Sequence, residues 1–349
     1  MKKELLMATA LASTMGMAGV AEAASATMSG HVRVGVEGEN PDSSGSDTTS
    51  AVQLGTFSVS LSETTDGGTK IASGFDITDE SDGATDPSGL TLTFTDGSSL
   101  QLIEAGAASN AHAVSVPGAG GEQGIANTSA NRSPTALTMG GGSDSVGFDY
   151  ATAADAFGID GFSANVSASF NDDVGTTSGA SATATLEGNY SVGVTYVTTA
   201  GDSTVTLGAG FNSAEFNSKT ATKDNEVYHI GATAVTGDLT VGVGIMNGDY
   251  IAENKQMEGD MMKAGVKYVS GDITFNVGMS NASATDESFG TAATSSEDVS
   301  DSVGASVDYA VASGVTATLG YTDVSNKDEG TEDTTHSGSA WYVGATMSF

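Results

Sequence analysis

The sequence predicts an all-β fold, a transmembrane antiparallel up-and-down β-barrel of about sixteen strands. Three observations carry that expectation. Apolar and polar residues alternate with period two along most of the chain from Thr27 onward. The connections between alternating stretches are tight and long by turns, as a barrel with two chemically different ends requires. The last alternating stretch runs to Phe349 itself.

Composition bounds the alternatives. The 349 residues contain 11 Lys+Arg against 44 Asp+Glu, a net charge of -33. Phosphate backbones would be repelled, so no nucleic acid is expected as a partner. Charged residues are only 16% of the chain, which excludes a highly charged disordered protein. The 47 Gly and 4 Pro disfavour long helices and Pro-rich linkers alike. With no Cys there are no disulfides and no thiolate metal sites.

The first element reads as a leader. Met1-Lys2-Lys3 is a short basic start, residues 5–20 are apolar or small, and Ala21-Glu22-Ala23 has a small-x-small cleavage pattern. Residues 1–23 are therefore expected to be removed after Sec-dependent export, leaving the barrel over 24–349. Gly16, Gly19 and Glu22 interrupt the ~20 apolar residues that a spanning helix needs.

Strands are expected at 27–37, 51–62, 69–78, 89–95, 98–103, 143–151, 161–171 and 181–197, then at 203–212, 226–235, 239–247, 261–269, 272–281, 299–310, 315–325 and 337–349. In the first, Met28, Val32, Val34 and Val36 oppose Ser29, His31, Arg33 and Gly35. Ile71, Phe75 and Ile77 oppose Lys70 and Asp76 in the third, and Leu90, Leu92 and Phe94 oppose Thr91 and Thr93 in the fourth. Phe162, Ala164, Val166, Ala168 and Phe170 oppose Ser163, Asn165, Ser167 and Ser169. Ala182, Ala184, Leu186, Tyr190, Val192, Val194 and Tyr196 keep one phase, which argues for a single long strand rather than a hairpin at Gly188-Asn189. Gly237-Asp238, Gly271-Asp272 and Ser313-Gly314 mark tight turns. The acidic stretches 248–260, 282–300 and 326–336 read as long loops. Sixteen strands leave about 20 residues for each strand and its connection, which suits tilted spanning strands of ~9–11 residues.

Tyr150, Tyr190, Tyr196, Tyr228, Tyr268, Tyr309, Tyr321 and Trp341 fall on the apolar phase, mostly toward strand ends, as an interfacial girdle needs. A soluble sandwich also alternates, but sixteen strands exceed the usual sheet. In the final strand Trp341, Val343, Ala345, Met347 and Phe349 alternate to the last residue. Pairing this strand with the first closes the barrel and leaves no edge.

These features resemble a known family. The Ala-x-Ala leader, the opening Thr27-Met28-Ser29-Gly30-His31-Val32-Arg33-Val34-Gly35, the repeated strand-Gly-Asp-strand hairpins and the terminal Trp-Tyr-Val-Gly-Ala-Thr-Met-Ser-Phe are similar to Gram-negative outer-membrane general porins, particularly the alphaproteobacterial branch. The resemblance covers the chain after the leader. It implies a homotrimer of barrels in outer-membrane lipid, each with its third outer loop folded into the lumen. It also implies partners in assembly: periplasmic chaperones and the barrel-assembly machinery, which would read the closing strand through Trp341 and Phe349. In this chain the third outer connection is 104–142, a long stretch of small residues whose only charges are Glu104, Glu122 and Arg132, with His112 beside them. That departs from the strongly acidic constriction loop common in such porins.

The expected pore-lining residues are the ionisable ones on the polar phase, His31, Arg33, Lys70, Asp76, Asp149 and Glu187, together with Glu104, His112, Glu122 and Arg132 of the loop. Asp79, Asp82 and Asp86 cluster oxygen ligands without EF-hand spacing, so no cofactor is assigned beyond loosely held Ca²⁺ or Mg²⁺. His31, His112, His229 and His336 sit in no nucleophile motif, and no enzyme is expected. The expected function is a water-filled channel for passive diffusion of ions and small hydrophilic solutes, mildly cation-selective. A secreted β-rich surface or Ca²⁺-binding structural protein stands as the alternative.

Overall fold

The computed structural model describes residues 25–41, 47–78, 88–102, 108–118, 146–170, 185–217, 225–252, 255–288, 297–327 and 335–349. The leader 1–23 lies outside the described residues. Sixteen strands form one closed antiparallel barrel in sequence order. They are β1 (Ser25–Pro41), β2 (Thr48–Thr64), β3 (Lys70–Thr78), β4 (Ser88–Thr93), β5 (Ser99–Leu102), β6 (Val146–Ala151), β7 (Phe162–Phe170), β8 (Thr185–Ala200), β9 (Ser203–Asn217), β10 (Asn225–Thr236), β11 (Leu239–Ala252), β12 (Lys255–Ser270), β13 (Ile273–Ser288), β14 (Glu297–Ala312), β15 (Val315–Lys327) and β16 (Thr335–Ser348).

The seam is β16 against β1, in register from His31↔Ser348 to Pro41↔Gly338. Phe349 extends it: Gly30 and Phe349 exchange backbone hydrogen bonds at 3.1 and 3.0 Å. Its ring lies over Gly30, where a Cβ would stand 2.8 Å from it, and stacks obliquely on Phe57 of β2 at 6.4 Å. At the other end of the seam the Trp341 indole covers Gly38 and faces its register partner Tyr321 on β15. The two outward aromatics of the closing strand, Trp341 and Phe349, thus lie on glycines of β1, one toward each rim.

Alternation becomes two faces. Val34, Ile230, Val243, Val277, Leu319 and Val343 point outward and are about half exposed, because what they face is the surroundings of the barrel and not a core. Tyr190, Tyr228, Tyr321 and Trp341 ring one end of this apolar surface, and Tyr150, Tyr196, Tyr268 and Tyr309 ring the other. Among the described residues no helix is long and apolar enough to cross a membrane. Gly201, Gly237 and Gly271 open two-residue turns with φ of +63°, +56° and +60°. That left-handed backbone is what the first central residue of a type II′ hairpin requires.

The structure corrects three expectations. The stretch 248–260 is not a loop: β11 and β12 stay paired from Asn247↔Asp260 out to Ala252↔Lys255. Strands β13, β14 and β15 also reach into their acidic stretches. The reason is visible on the outward face, where apolar Ile245/Met262 and Met279/Val303 give way to cross-strand Asn247–Asp260 and Asn281–Asp301 hydrogen bonds. Beyond that edge the backbone ladder continues while the apolar alternation of the sequence stops. Secondly, β8 is the single strand expected, with no hairpin at Gly188-Asn189, but its phase breaks at Glu187, an extra residue in the β8–β9 ladder between Leu186 and Gly188. Thirdly, one connection at the tight-turn end is long. Residues 152–161 carry a 3₁₀ turn (Ala156–Gly158) with Asp155 and Phe157 at positive φ and Phe157 81% exposed.

An arginine on the outward face tests what that face meets. Val277→Arg, at mid-belt on β13, should lower the unfolding free energy in bilayers by about 2–4 kcal/mol, read from denaturant midpoints in liposomes. An unchanged midpoint would place this face in water, as the secreted alternative requires.

Candidate functional site

The chemistry of a closed barrel lies on its inner face, and here one segment of chain is seated on it. Residues 108–118 cross the wall from β7 to β13. Their contacts go to inward residues such as Ser167, Ser191, Gly193 and Gly231, while the alternate residues Val166, Val192 and Ile230 face outward. The described part of the expected loop 104–142 therefore lies in the lumen.

Side chains of the wall satisfy the segment's backbone. The Ala108 N–H donates to Ser167 Oγ at 2.9 Å and the Ser109 N–H to Ser191 Oγ at 2.8 Å. His229 Nε2–H on β10 donates to the Ser109 carbonyl at 2.9 Å. His112, at the end of a 3₁₀ turn (Asn110–His112), is 5% exposed. Its Nδ1 pairs with Thr195 Oγ1 at 2.7 Å and its Nε2 with Asn165 Oδ1 at 3.0 Å. Because a carbonyl oxygen only accepts, Nε2 carries the proton and Nδ1 accepts from Thr195. Asn165 Nδ2 in turn donates to Asp149 Oδ1 at 3.2 Å, so the imidazole ends a chain of hydrogen bonds that starts on a carboxylate. Burial holds the His112 pKa below its ordinary 6.5, partly offset by the Asn165 bond.

Under the segment the wall is glycine. Gly193 pairs with Gly210, Gly208 with Gly231, Gly231 with Gly244, Gly242 with Gly265, and Gly265 with Gly278, a row across β8–β13. A Cβ on Gly193 would stand 2.5 Å from the His112 ring, and one on Gly242 would stand 2.9 Å from Pro117. On Gly208, Gly231 and Gly265 it would collide with the His112 carbonyl, Val114 and the Pro117 carbonyl. The absent side chains are the space that the segment fills. At its far end Gly118, with φ +67°, lies against the backbone of Val277 and Gly278.

Below the segment, toward the tight turns, the lumen widens into a cavity of about 740 Å³. Ala111, Ala113, Val114 and Pro117 bound it on one side, and the inward residues of β8–β15 bound it on the other. The arrangement is a polar bore narrowed on one wall, in which the His112–Thr195 pair is taken up in holding the segment.

The model of the Gram-negative porin family matches residues 8–329. The chain belongs to that family. No curated protein sequence matches it. Among solved structures it is similar to a porin refined at 1.8 Å resolution, with 19% identity and a TM-score of 0.59 over 93% of this chain and 100% of that one. It is also similar to a double mutant of the Rh. blastica porin, with 13% identity and a TM-score of 0.60 over 93% and 100%. The trimer form of in-vitro folded OmpT, an outer-membrane protein of Vibrio cholerae, shares 15% identity and a TM-score of 0.61 over 94% and 100%.

Within this porin, His31 and Arg33 share the inward phase of β1 with Glu37, and Lys70 and Asp76 that of β3. Asp149 joins the His112 chain from β6. Glu104, Glu122, Arg132, Asp79, Asp82 and Asp86 lie outside the described residues, as does the Glu187 side chain. The structure therefore brings together two of the expected residues, His112 and Asp149, and leaves Arg33 on a separate wall. Sequence reading missed the inward cations Lys263 and Lys267 of β12, which flank Gly265 and the Pro117 carbonyl seated on it. It also missed His229 as an anchor, and Asp308, held by Asn276 Nδ2 at 3.1 Å and Thr318 Oγ1 at 2.7 Å. The alternation of 261–269 was the available signal for both lysines. Among the described residues no group of three or more His, Asp or Glu could hold a metal.

Two tests address the seat. Gly231→Val forces overpacking against Val114 at about 1–3 kcal/mol. The barrel should still fold, and its single-channel current should change from one steady level to a fluctuating one; a steady wild-type level would refute the seat. The second test is pH. An unseated loop exposes His112 at its ordinary pKa, whereas the seated imidazole is held neutral. Seating is then fully favourable above pH about 6.5 and weakens as pH falls through the interval below it. Current fluctuation should accordingly rise on acidification, and rise less in His112→Gln, where His229 is the imidazole that still holds the segment.

Proposed function

We propose that this porin forms a water-filled channel through which ions and small hydrophilic solutes diffuse passively, with a moderate preference for cations. The single observation behind the reading is the polar inner face of a closed barrel, narrowed but not filled by residues 108–118 where they are seated. Membership of the Gram-negative porin family and the barrel fold support an outer-membrane channel and point away from an enzyme. The trimer form of the similar OmpT structure supports a homotrimer. Export through the Sec route, delivery by periplasmic chaperones and recognition of Trp341 and Phe349 by the assembly machinery complete the proposal. The position of Phe349 on the seam supports that last role, since it is the residue that completes barrel closure.

Selectivity follows from two opposed fields. The 44 acids against 11 bases raise cation concentration near the entrance, over about a Debye length of ~8 Å at physiological salt. Within the bore, Arg33, Lys263 and Lys267 oppose that preference. Lys267 borders the cavity below the loop, so its ammonium meets permeating ions more directly than Arg33 does. Reversal potentials across a KCl gradient should show cation preference in the wild type, fading toward neutrality at high salt. Arg33→Ala and Lys267→Ala should both increase the preference, Lys267→Ala more. Anion preference in the wild type at low salt would overturn the selectivity, and absence of channels in planar bilayers would overturn the function.

A further inference from the structure

We propose that the cavity beneath the seated loop is a binding subsite for neutral, hydroxyl-rich solutes of sugar type. The proposal rests on the channel reading above and adds a solute class to it.

The cavity wall is a field of hydroxyls. Thr195, Thr206, Thr233, Thr240, Thr274 and Thr316 come from six strands and face one space. Thr206 and Thr233 are direct register partners, and Thr240 stands opposite Lys267. Thr195 is engaged by His112. The other five side chains make no hydrogen bond among the described residues, whereas hydroxyls elsewhere on the wall, Ser167 and Ser191 among them, are taken up in holding the loop. Each free hydroxyl offers one donor and two acceptor lone pairs, the same inventory that a sugar hydroxyl offers in return.

Charge and shape narrow the class. Among the described residues lining the cavity, Lys267 and Asp308 are the one cationic and the one acidic side chain, and burial favours the neutral form of His112. They are of opposite sign, and Asp308 already has both oxygens engaged by Asn276 and Thr318. A net-charged solute therefore gains little from the pair. On the facing side Ala111, Ala113, Val114 and Pro117 present an apolar surface. A pyranose has this same division, hydroxyls around its edge and C–H bonds on its faces. One face resting on Val114 and Pro117 would direct the edge hydroxyls at the threonine rows. The volume of about 740 Å³ lies within the usual range of small-molecule sites and leaves room for a disaccharide with its waters.

The test is current block by sucrose in single channels at neutral pH, corrected for the fall in bulk conductivity. Sucrose should block in a saturable way. In the double variant Thr206→Val, Thr233→Val the half-blocking concentration should rise about tenfold, as expected for two lost hydrogen bonds. Thr240→Val, Thr274→Val serves as a second pair should the first fold poorly, with heat-modifiable migration confirming the barrel. Thr346→Val, on the inward phase of β16 and outside the cavity lining, should leave the block as it is. Glycine, as a zwitterion, and gluconate, as an anionic polyol, are the competing probes. Channels that conduct KCl but show no saturable sucrose block would overturn the subsite while leaving the channel reading intact. Block by glycine or by gluconate alone would also overturn it, in favour of Lys267 and Asp308 as the recognising groups. No conduction at all would overturn the channel reading itself.

Discussion

Hydrocarbon offers no partner to a peptide group, so every backbone N–H and C=O that crosses it must be paired within the protein. In this chain the ladder between β16 and β1 meets that demand, because it removes the last two free edges of the sheet. Everything else depends on that closure. An open sheet has two equivalent faces, whereas a closed one has an inside. Once the inside exists, the period-two pattern becomes a division between residues that meet lipid and residues that meet water. The seam is accordingly where the largest aromatics of the closing strand meet glycines of β1, so that the two strands approach without hindrance.

The seated loop is a second solution to the same problem under different conditions. Residues 108–118 bring peptide groups against a wall whose own backbone is already paired across strands. Satisfaction has to come from side chains, and Ser167, Ser191 and His229 supply it. Depth comes from the glycine row. Glycine inside a strand costs roughly 0.5–1 kcal/mol relative to alanine. The row is retained because any Cβ there would meet the loop. The small, uncharged character of the loop fits this arrangement, since a buried ionised group would need a partner that a glycine bed cannot offer.

Much of this was legible from residue order, and the exceptions have physical causes. Alternation placed the strands, their faces and the tight Gly-Asp turns, because lipid on one side and water on the other impose opposite demands on successive residues. It failed where the demand lapses. Past the hydrogen-bonded Asn247–Asp260 and Asn281–Asp301 pairs the apolar alternation lapses, so paired strands read as acidic loops. At Glu187 an extra residue shifts the register, and parity no longer tells which way a side chain points. Within the site, Asp149 and His112 were both recognised as ionisable residues of the bore. Nothing local showed that Asn165 would link them, since the three residues belong to β6, the loop and β7.

By itself the sequence determined the all-β class, the even strand count, the inward phase of Arg33 and Lys70, and the closing role of the strand that ends at Phe349. These are local properties, set by period, turn chemistry and residue type along one strand at a time. Only the tertiary structure decided where the loop rests, which histidine holds it, and that Lys263 and Lys267 stand on either side of it. It also decided that threonines from six strands share one space. Those are relations between strands, and they depend on the register of each strand against the next. Register is set by the summed pairing of whole strands around a closed circle, and no single stretch of residues contains that sum.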